Sequence, residues 1–174
     1  TVFDVEELTT HGGSLRVFAQ RKDTGKQPVT ENVRRVMTNE TELGVNSSNY
    51  YEGFQEKTDR IKNEFLSFLI EAKSKGKKVA AYGAAAKGNT FMNYAGIRPD
   101  LISFIVDRNP AKQDKYMPGS RIPIVKEEFL QSTKPDYIVI LPWNLKTEVV
   151  QQLEYIKGWG GQFVTAIPQL EVLS

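Results

Sequence analysis

At 174 residues, 40% hydrophobic and 25% charged, the chain has the composition of a globular protein large enough for one good-sized α/β core. Twenty-three basic residues against twenty-one acidic ones leave a net charge of +2. That is too little to call for a nucleic-acid partner, and no basic stretch is interleaved with aromatics. The absence of cysteine excludes disulfides, thiolate metal sites and a cysteine nucleophile, and a single histidine excludes a histidine-rich metal site within the chain, so no metal is expected.

No apolar run approaches the roughly twenty residues of a membrane-spanning helix, and the first residues lack the basic-then-apolar order of a signal peptide. The expected setting is the cytoplasm, with no membrane partner.

The first stretch, TVFDVEELTTHGGSLRVFAQR, alternates on both sides of a Thr-His-Gly-Gly-Ser turn, with Val2, Phe3 and Val5 before it and Leu15, Val17 and Phe18 after it. This predicts a β-hairpin over residues 1–21. Two strands alone are marginal in water, so the hairpin is expected to be the last pair of strands of a truncated domain. Residues 22–49 are polar, with Gly25, Pro28 and Gly44, and read as a linker carrying one helix around TENVRRVMTNETELG. From Tyr50, the spacing of Phe54, Ile61, Phe65, Phe68 and Leu69 predicts a long amphipathic helix over residues 50–72, followed by KSKGKK, where Gly76 can stop it.

Beyond Lys77 strand and helix alternate: VAAYG, a strand; NTFMNYAGI, a helix; LISFIVD and IPIV, strands; KEEFLQS, a helix; DYIVILP, a strand; LKTEVVQQLEYIKGW, a helix; QFVTAI, a last strand. Near-continuous apolar strands between helices predict a mainly parallel, Rossmann-like α/β sheet covered on both faces. Residues 50–174 thus form the helix plus a Rossmann-like domain.

In such sheets ligands sit beyond the carboxyl ends of the strands. In GAAAKGNT, Gly83 permits a tight turn, Gly88 allows close helix–strand packing, and Ala85 stands where a dinucleotide loop has its middle glycine. A methyl group there pushes an anion outward, which argues against a nicotinamide dinucleotide and for a phosphate held at the helix amino end by Lys87, Asn89 and Thr90. The alternative is a turn that only packs. Asp107, ending LISFIVD, stands where an acidic side chain meets a ribose, or it caps the following turn. In LPWN, Trp143 can stack on a base or sugar or pack beneath the loop, and Asn144 can cap the next helix. Tyr116 and Arg121, in KQDKYMPGSRIPI, either reach the same ligand or lie in a solvated loop. His11, in the hairpin turn, is a candidate acid–base group or a hydrogen-bonded structural residue.

The blocks TTHGGSLRVFAQ, VAAYGAAAKGNTFMNYAGI, VDRNPAKQDKYMPGSRIPI, PDYIVILPWNLKTEVV and WGGQFVTAIP resemble the C-terminal region of S-adenosylmethionine-dependent sugar C-methyltransferases, which act on nucleotide-linked keto-deoxysugars such as thymidine-diphosphate sugars. The resemblance implies a zinc-binding segment and an S-adenosylmethionine-binding domain upstream, and a Rossmann-like domain that helps hold the nucleotide sugar. Neither the zinc cysteines nor an acidic-Gly-x-Gly motif occurs here. The cofactor site is therefore expected outside this chain, in its own upstream methyltransferase domain, and the chain is expected to bind substrate without turnover. Two other readings stay open. One is a nicotinamide-dependent oxidoreductase domain, on the spacing of Gly83, Ala85, Gly88 and Asp107. The other is a structural or dimerisation module, on the long helix and Trp159.

Overall fold

The computed structural model describes residues 1–173, apart from the side chain of His11. The chain divides into two compact units, Thr1–Glu56 and Lys57–Ser174.

In the first unit, β1 (Val2–Leu8) and β2 (Ser14–Ala19) form the anticipated antiparallel hairpin, with Val5 opposite Val17, joined through a 3₁₀ turn at Thr10–Gly12. The segment after it carries α1 (Glu31–Glu42), which lies on β1. Asp4 explains the docking: its Oδ1 accepts the Thr30 hydroxyl at 2.6 Å and the Asn32 amide at 3.2 Å, while Thr30 N donates to Phe3 O at 2.8 Å. Val5 and Val33 are buried there.

The long helix, α2, runs Phe54–Ser74 rather than from Tyr50, because Gly53 sits at φ 74° and separates it from a 3₁₀ turn at Ser48–Tyr51. Gly76, at φ 66°, closes it: its N–H donates to Lys73 O at 3.0 Å, and Lys77 N reaches back to Ala72 O at 2.9 Å.

The sheet of the second unit contains β3 (Val79–Tyr82), β4 (Ile105–Val106), β5 (Ile124–Val125), β6 (Tyr137–Ile140), β7 (Gln162–Thr165) and β8 (Glu171–Leu173), in the order β5-β4-β3-β6-β7-β8. All pairs are parallel except β7–β8. The helices are α3 (Ala86–Tyr94), α4 (Glu128–Thr133) and α5 (Lys146–Gln152). Side chains alternate across the sheet as a strand period of two requires. Val79, Ala81 and Val139 join Phe65, Leu69 and Ala72 of α2 and Met92 of α3 on one face. Ala80, Tyr82, Ile138 and Ile140 join Leu130 of α4 and Val149 of α5 on the other. The predicted α/β class and the covering of both faces are what is found.

Besides the start of α2, three further elements differ from the sequence reading. LISFIVD contributes only Ile105–Val106 as strand, because Leu101 and Ile102 turn back onto Arg98 O. LKTEVVQQLEYIKGW breaks at Leu153, φ −106° and ψ 20°, into α5 and a 3₁₀ stretch, Glu154–Trp159. The short antiparallel β8 follows QFVTAI, which is therefore not the last strand. No helix among the described residues is long and apolar enough to cross a membrane.

Candidate functional site

From β3 the chain steps outward to β4 and β5, then returns to β6 on the other side of β3. The loops leaving β3 and β6 therefore part at the point where strand order reverses, the place where open α/β sheets bind ligands. The two glycines of the first loop are explained by the second. Gly83 has φ 86°, and a Cβ on it would stand 2.6 Å from Pro142 Cδ; a Cβ on Gly88 would stand 2.6 Å from Leu141 Cβ. Ala85 is extended, at φ −95° and ψ 151°, and supplies no side-chain cap to α3. The bond from Asn89 N to Ala85 O, at 2.9 Å, closes the first turn of that helix. The amides of Ala86, Lys87 and Gly88 thus stand at the open, positive end of the helix.

Lys87 Nζ donates to Asn144 Oδ1 at 2.7 Å and lies 5.0 Å from the centroid of the Trp143 ring. An ammonium has three donors, so one held in this way keeps donors for an anion. On the other flank of α3 is a cavity of about 370 Å³ whose lining includes Ala85, Asn89, Lys112, Tyr116 and Met117. Tyr116 is 67% exposed at this cavity.

Asp107 is buried, and its carboxylate is already engaged. Oδ2 accepts Ala84 N at 2.8 Å and Lys112 Nζ at 3.0 Å; Oδ1 accepts Asn109 N at 2.8 Å. Thr90 turns its hydroxyl back to Ala86 O at 3.2 Å. Arg121, at φ 58°, is exposed in the loop after Tyr116 but does not line the cavity. The side chain of His11 lies outside the described residues. The structure therefore brings Gly83, Ala85, Lys87, Gly88, Asn89, Trp143 and Asn144 around the amino end of α3, with Tyr116 beside them. It sets Asp107 behind the turn.

A second polar cluster escaped the sequence reading. Arg108 Nε donates to Glu127 Oε2 at 2.6 Å, the Tyr155 hydroxyl donates to Glu127 Oε1 at 3.2 Å, and the Gln152 amide donates to the Tyr82 hydroxyl. Arg108, Glu127 and Tyr155 border a cavity of about 690 Å³. Burial, with Glu127 adding to it, pushes the Tyr155 phenol up to about 12, and burial also raises that of Tyr82. These residues come from four separate segments, so no local spacing announces them. Among the described residues no group of three His, Cys, Asp or Glu side chains could hold a metal ion.

The sequence profile of the family described as C-methyltransferase C-terminal domain matches residues 9–168. The chain is also similar to the C-methyltransferase NovU of Streptomyces niveus, 32% identical over 173 residues, which is 99% of this chain and 41% of that protein. It thus spans about two fifths of the length of this relative. With the match covering both the β3–α3 turn and the β6 exit loop, the chain belongs to the C-methyltransferase C-terminal domain family.

Proposed function

We propose that the Lys57–Ser174 unit holds the diphosphate of a nucleotide-linked keto-deoxysugar for an S-adenosylmethionine-dependent C-methyltransferase. The observation that carries this reading is Lys87, fixed by Asn144 and Trp143 at the uncapped amino end of α3 where the strand order reverses. In this reading the phosphates meet the amides of Ala86, Lys87 and Gly88, joined by Lys87 and Asn89, with the Ala85 methyl keeping them further out than a dinucleotide loop does. Tyr116 offers its ring to the base, and Trp143 with Asn144 flanks the sugar. Arg121 and Thr90 are assigned to the outer rim.

The residues present do not fit S-adenosylmethionine itself. Asp107, in the place where an adenosine ribose is held in such folds, has both acceptor positions of Oδ2 taken by Ala84 N and Lys112 Nζ and one of Oδ1 by Asn109 N, so its two oxygens are not both open to a ribose diol. The cofactor is therefore assigned to an upstream domain, and no step through it is derived. The hairpin with His11 is assigned to that same domain, His11 serving there as an acid–base or supporting group, and the present chain alone binds without turnover.

Calorimetry of the chain with thymidine diphosphate tests the site. Saturable binding is expected, weakened roughly tenfold to a hundredfold by Lys87→Ala, the effect of losing a charge-assisted hydrogen bond. Binding indifferent to that substitution would put the phosphate elsewhere, and saturation by NADH in preference to thymidine diphosphate would favour an oxidoreductase domain. In the longer enzyme the same logic separates two roles: Lys87→Ala raises KM, whereas His11→Asn lowers kcat with KM retained.

A further inference from the structure

The turn that opens α3 is tied from behind by one ion pair. The Ala84 N–H donates to Asp107 Oδ2 at 2.8 Å, and the Ala84 carbonyl accepts Lys112 Nζ at 2.9 Å. Lys112 closes the triangle on the same Oδ2 at 3.0 Å. Both backbone groups of Ala84 are thus satisfied by two side chains of the loop after β4. Because α3 has no side-chain cap of its own, these bonds take over the task of fixing the residues just ahead of its open amides. The Asp107 side chain is 11% exposed and that of Lys112 40%. Both acceptor positions of Oδ2 are thus filled and Oδ1 already takes Asn109 N, so this enclosed carboxylate could accept a ribose diol on both oxygens only by giving up an existing donor. It is also a negative charge close to the proposed anion site, and Lys112 neutralises it.

We propose that Asp107 and Lys112 are positioning residues that hold the β3–α3 turn in its anion-binding geometry, and that Asp107 makes no contact with the nucleotide. The proposal rests on the nucleotide-binding reading of the α3 amino end, and it replaces the ribose contact suggested by the place of Asp107 at the end of β4.

A ligand without a ribose separates the two roles. If Asp107 binds the ribose, Asp107→Ala weakens thymidine diphosphate but leaves inorganic pyrophosphate unchanged or bound more tightly, since a negative charge has gone. If Asp107 positions the turn, both probes weaken by a similar factor, roughly tenfold or more for a lost charge-assisted bond, although the charge change alone favours them.

Calorimetry of the 174-residue chain with each probe reads this directly. Asp107→Asn, which keeps only one carbonyl oxygen to share among three donors, is expected to fall between the wild type and the alanine variant. Amide exchange of the ligand-free chain gives a readout independent of binding. Asp107→Ala should speed exchange at Ala84 while Ala81, bonded to Phe104 O in the sheet, stays protected and shows that the core is intact. Loss for both probes together with a faster Ala84 amide supports the proposal. Loss for thymidine diphosphate alone overturns it in favour of the ribose contact, and an Ala84 amide that stays protected overturns the tie itself. A wild-type chain that binds neither probe overturns the nucleotide reading, and the exchange result then decides by itself whether the pair holds the turn.

Discussion

At the scale of single residues, the glycines of the β3–α3 turn show how packing and site are one problem. Gly88 is buried, and a methyl group there would meet Leu141 Cβ, an atom fixed to the backbone of the neighbouring loop, at 2.6 Å. Alanine gains about 1 kcal/mol of helix propensity over glycine, but overpacking a filled site costs roughly 1–3 kcal/mol, so the clash should win. Gly88→Ala is expected to lower the melting temperature and to weaken thymidine diphosphate with it, because α3 must move off the β6 loop. Gly158→Ala, with nothing within 4 Å of its Cβ, is the control and should be neutral or slightly stabilising. A Gly88→Ala protein as stable as the wild type would show that the loop yields freely. The spacing of Gly83 and Gly88 was legible in the sequence because tight turns have few solutions. The pairing of Lys87 with Asn144 was not, since it depends on β6 returning beside β3, which no local pattern encodes.

At the scale of elements, β3, β6 and β7 could be read from their apolar runs with both faces covered, β5 from IPIV, and the hairpin strands β1 and β2 from alternation about a Gly-Gly turn. The two that went astray are governed by hydrogen bonding rather than by hydropathy. Leu101 and Ile102 are apolar, yet they sit in a turn closed on Arg98 O, and β8 is a three-residue strand whose only signature is its pairing with β7. At the opposite end of the sheet from the candidate site, Asp136 ties the entries of β3 and β6. Its Oδ2 accepts Lys78 N at 2.8 Å and its Oδ1 accepts Lys77 Nζ at 2.8 Å. Desolvation acts to raise the Asp136 pKa, but the bonds from Lys77 and Lys78 outweigh it and hold the carboxyl below its ordinary value. A group depressed in the folded state contributes stability that is present above the unfolded value and is lost as pH falls through the folded one. Asp136→Asn should therefore destabilise by about 1 kcal/mol at neutral pH, a modest figure for a partly exposed pair. The gap to the wild type should close on acidification below pH 4, the unfolded carboxyl range. Melting curves of both proteins from pH 7 downward check this, and a constant gap would assign the effect to something other than the charge.

For the whole molecule, stability is expected to be uneven along the chain. In Lys57–Ser174, side chains such as Phe65, Leu69, Met92, Ile105, Ile138 and Phe163 are completely buried. Among the described residues of Thr1–Glu56, only Val5 and Val33 are buried apolar side chains, while Leu15, Val17, Met37 and Leu43 are at least half exposed. Two buried apolar side chains and the Asp4 bonds are a much smaller core than that of Lys57–Ser174, so the hairpin and α1 should open more readily. Amide exchange should therefore find β3, β6 and β7 slowest and β1 and β2 faster by a hundredfold or more, since each 1.4 kcal/mol of local stability is a factor of ten. If the hairpin belongs to an upstream methyltransferase domain, as proposed, a longer protein carrying that domain should protect β1 and β2 to nearly the level of β3, because the added strands and core would cover Leu15 and Val17. Hairpin amides as slow in this chain as those of β3 would show that Thr1–Glu56 is stable without that domain. Unchanged fast exchange in the longer protein would remove the hairpin from the methyltransferase sheet.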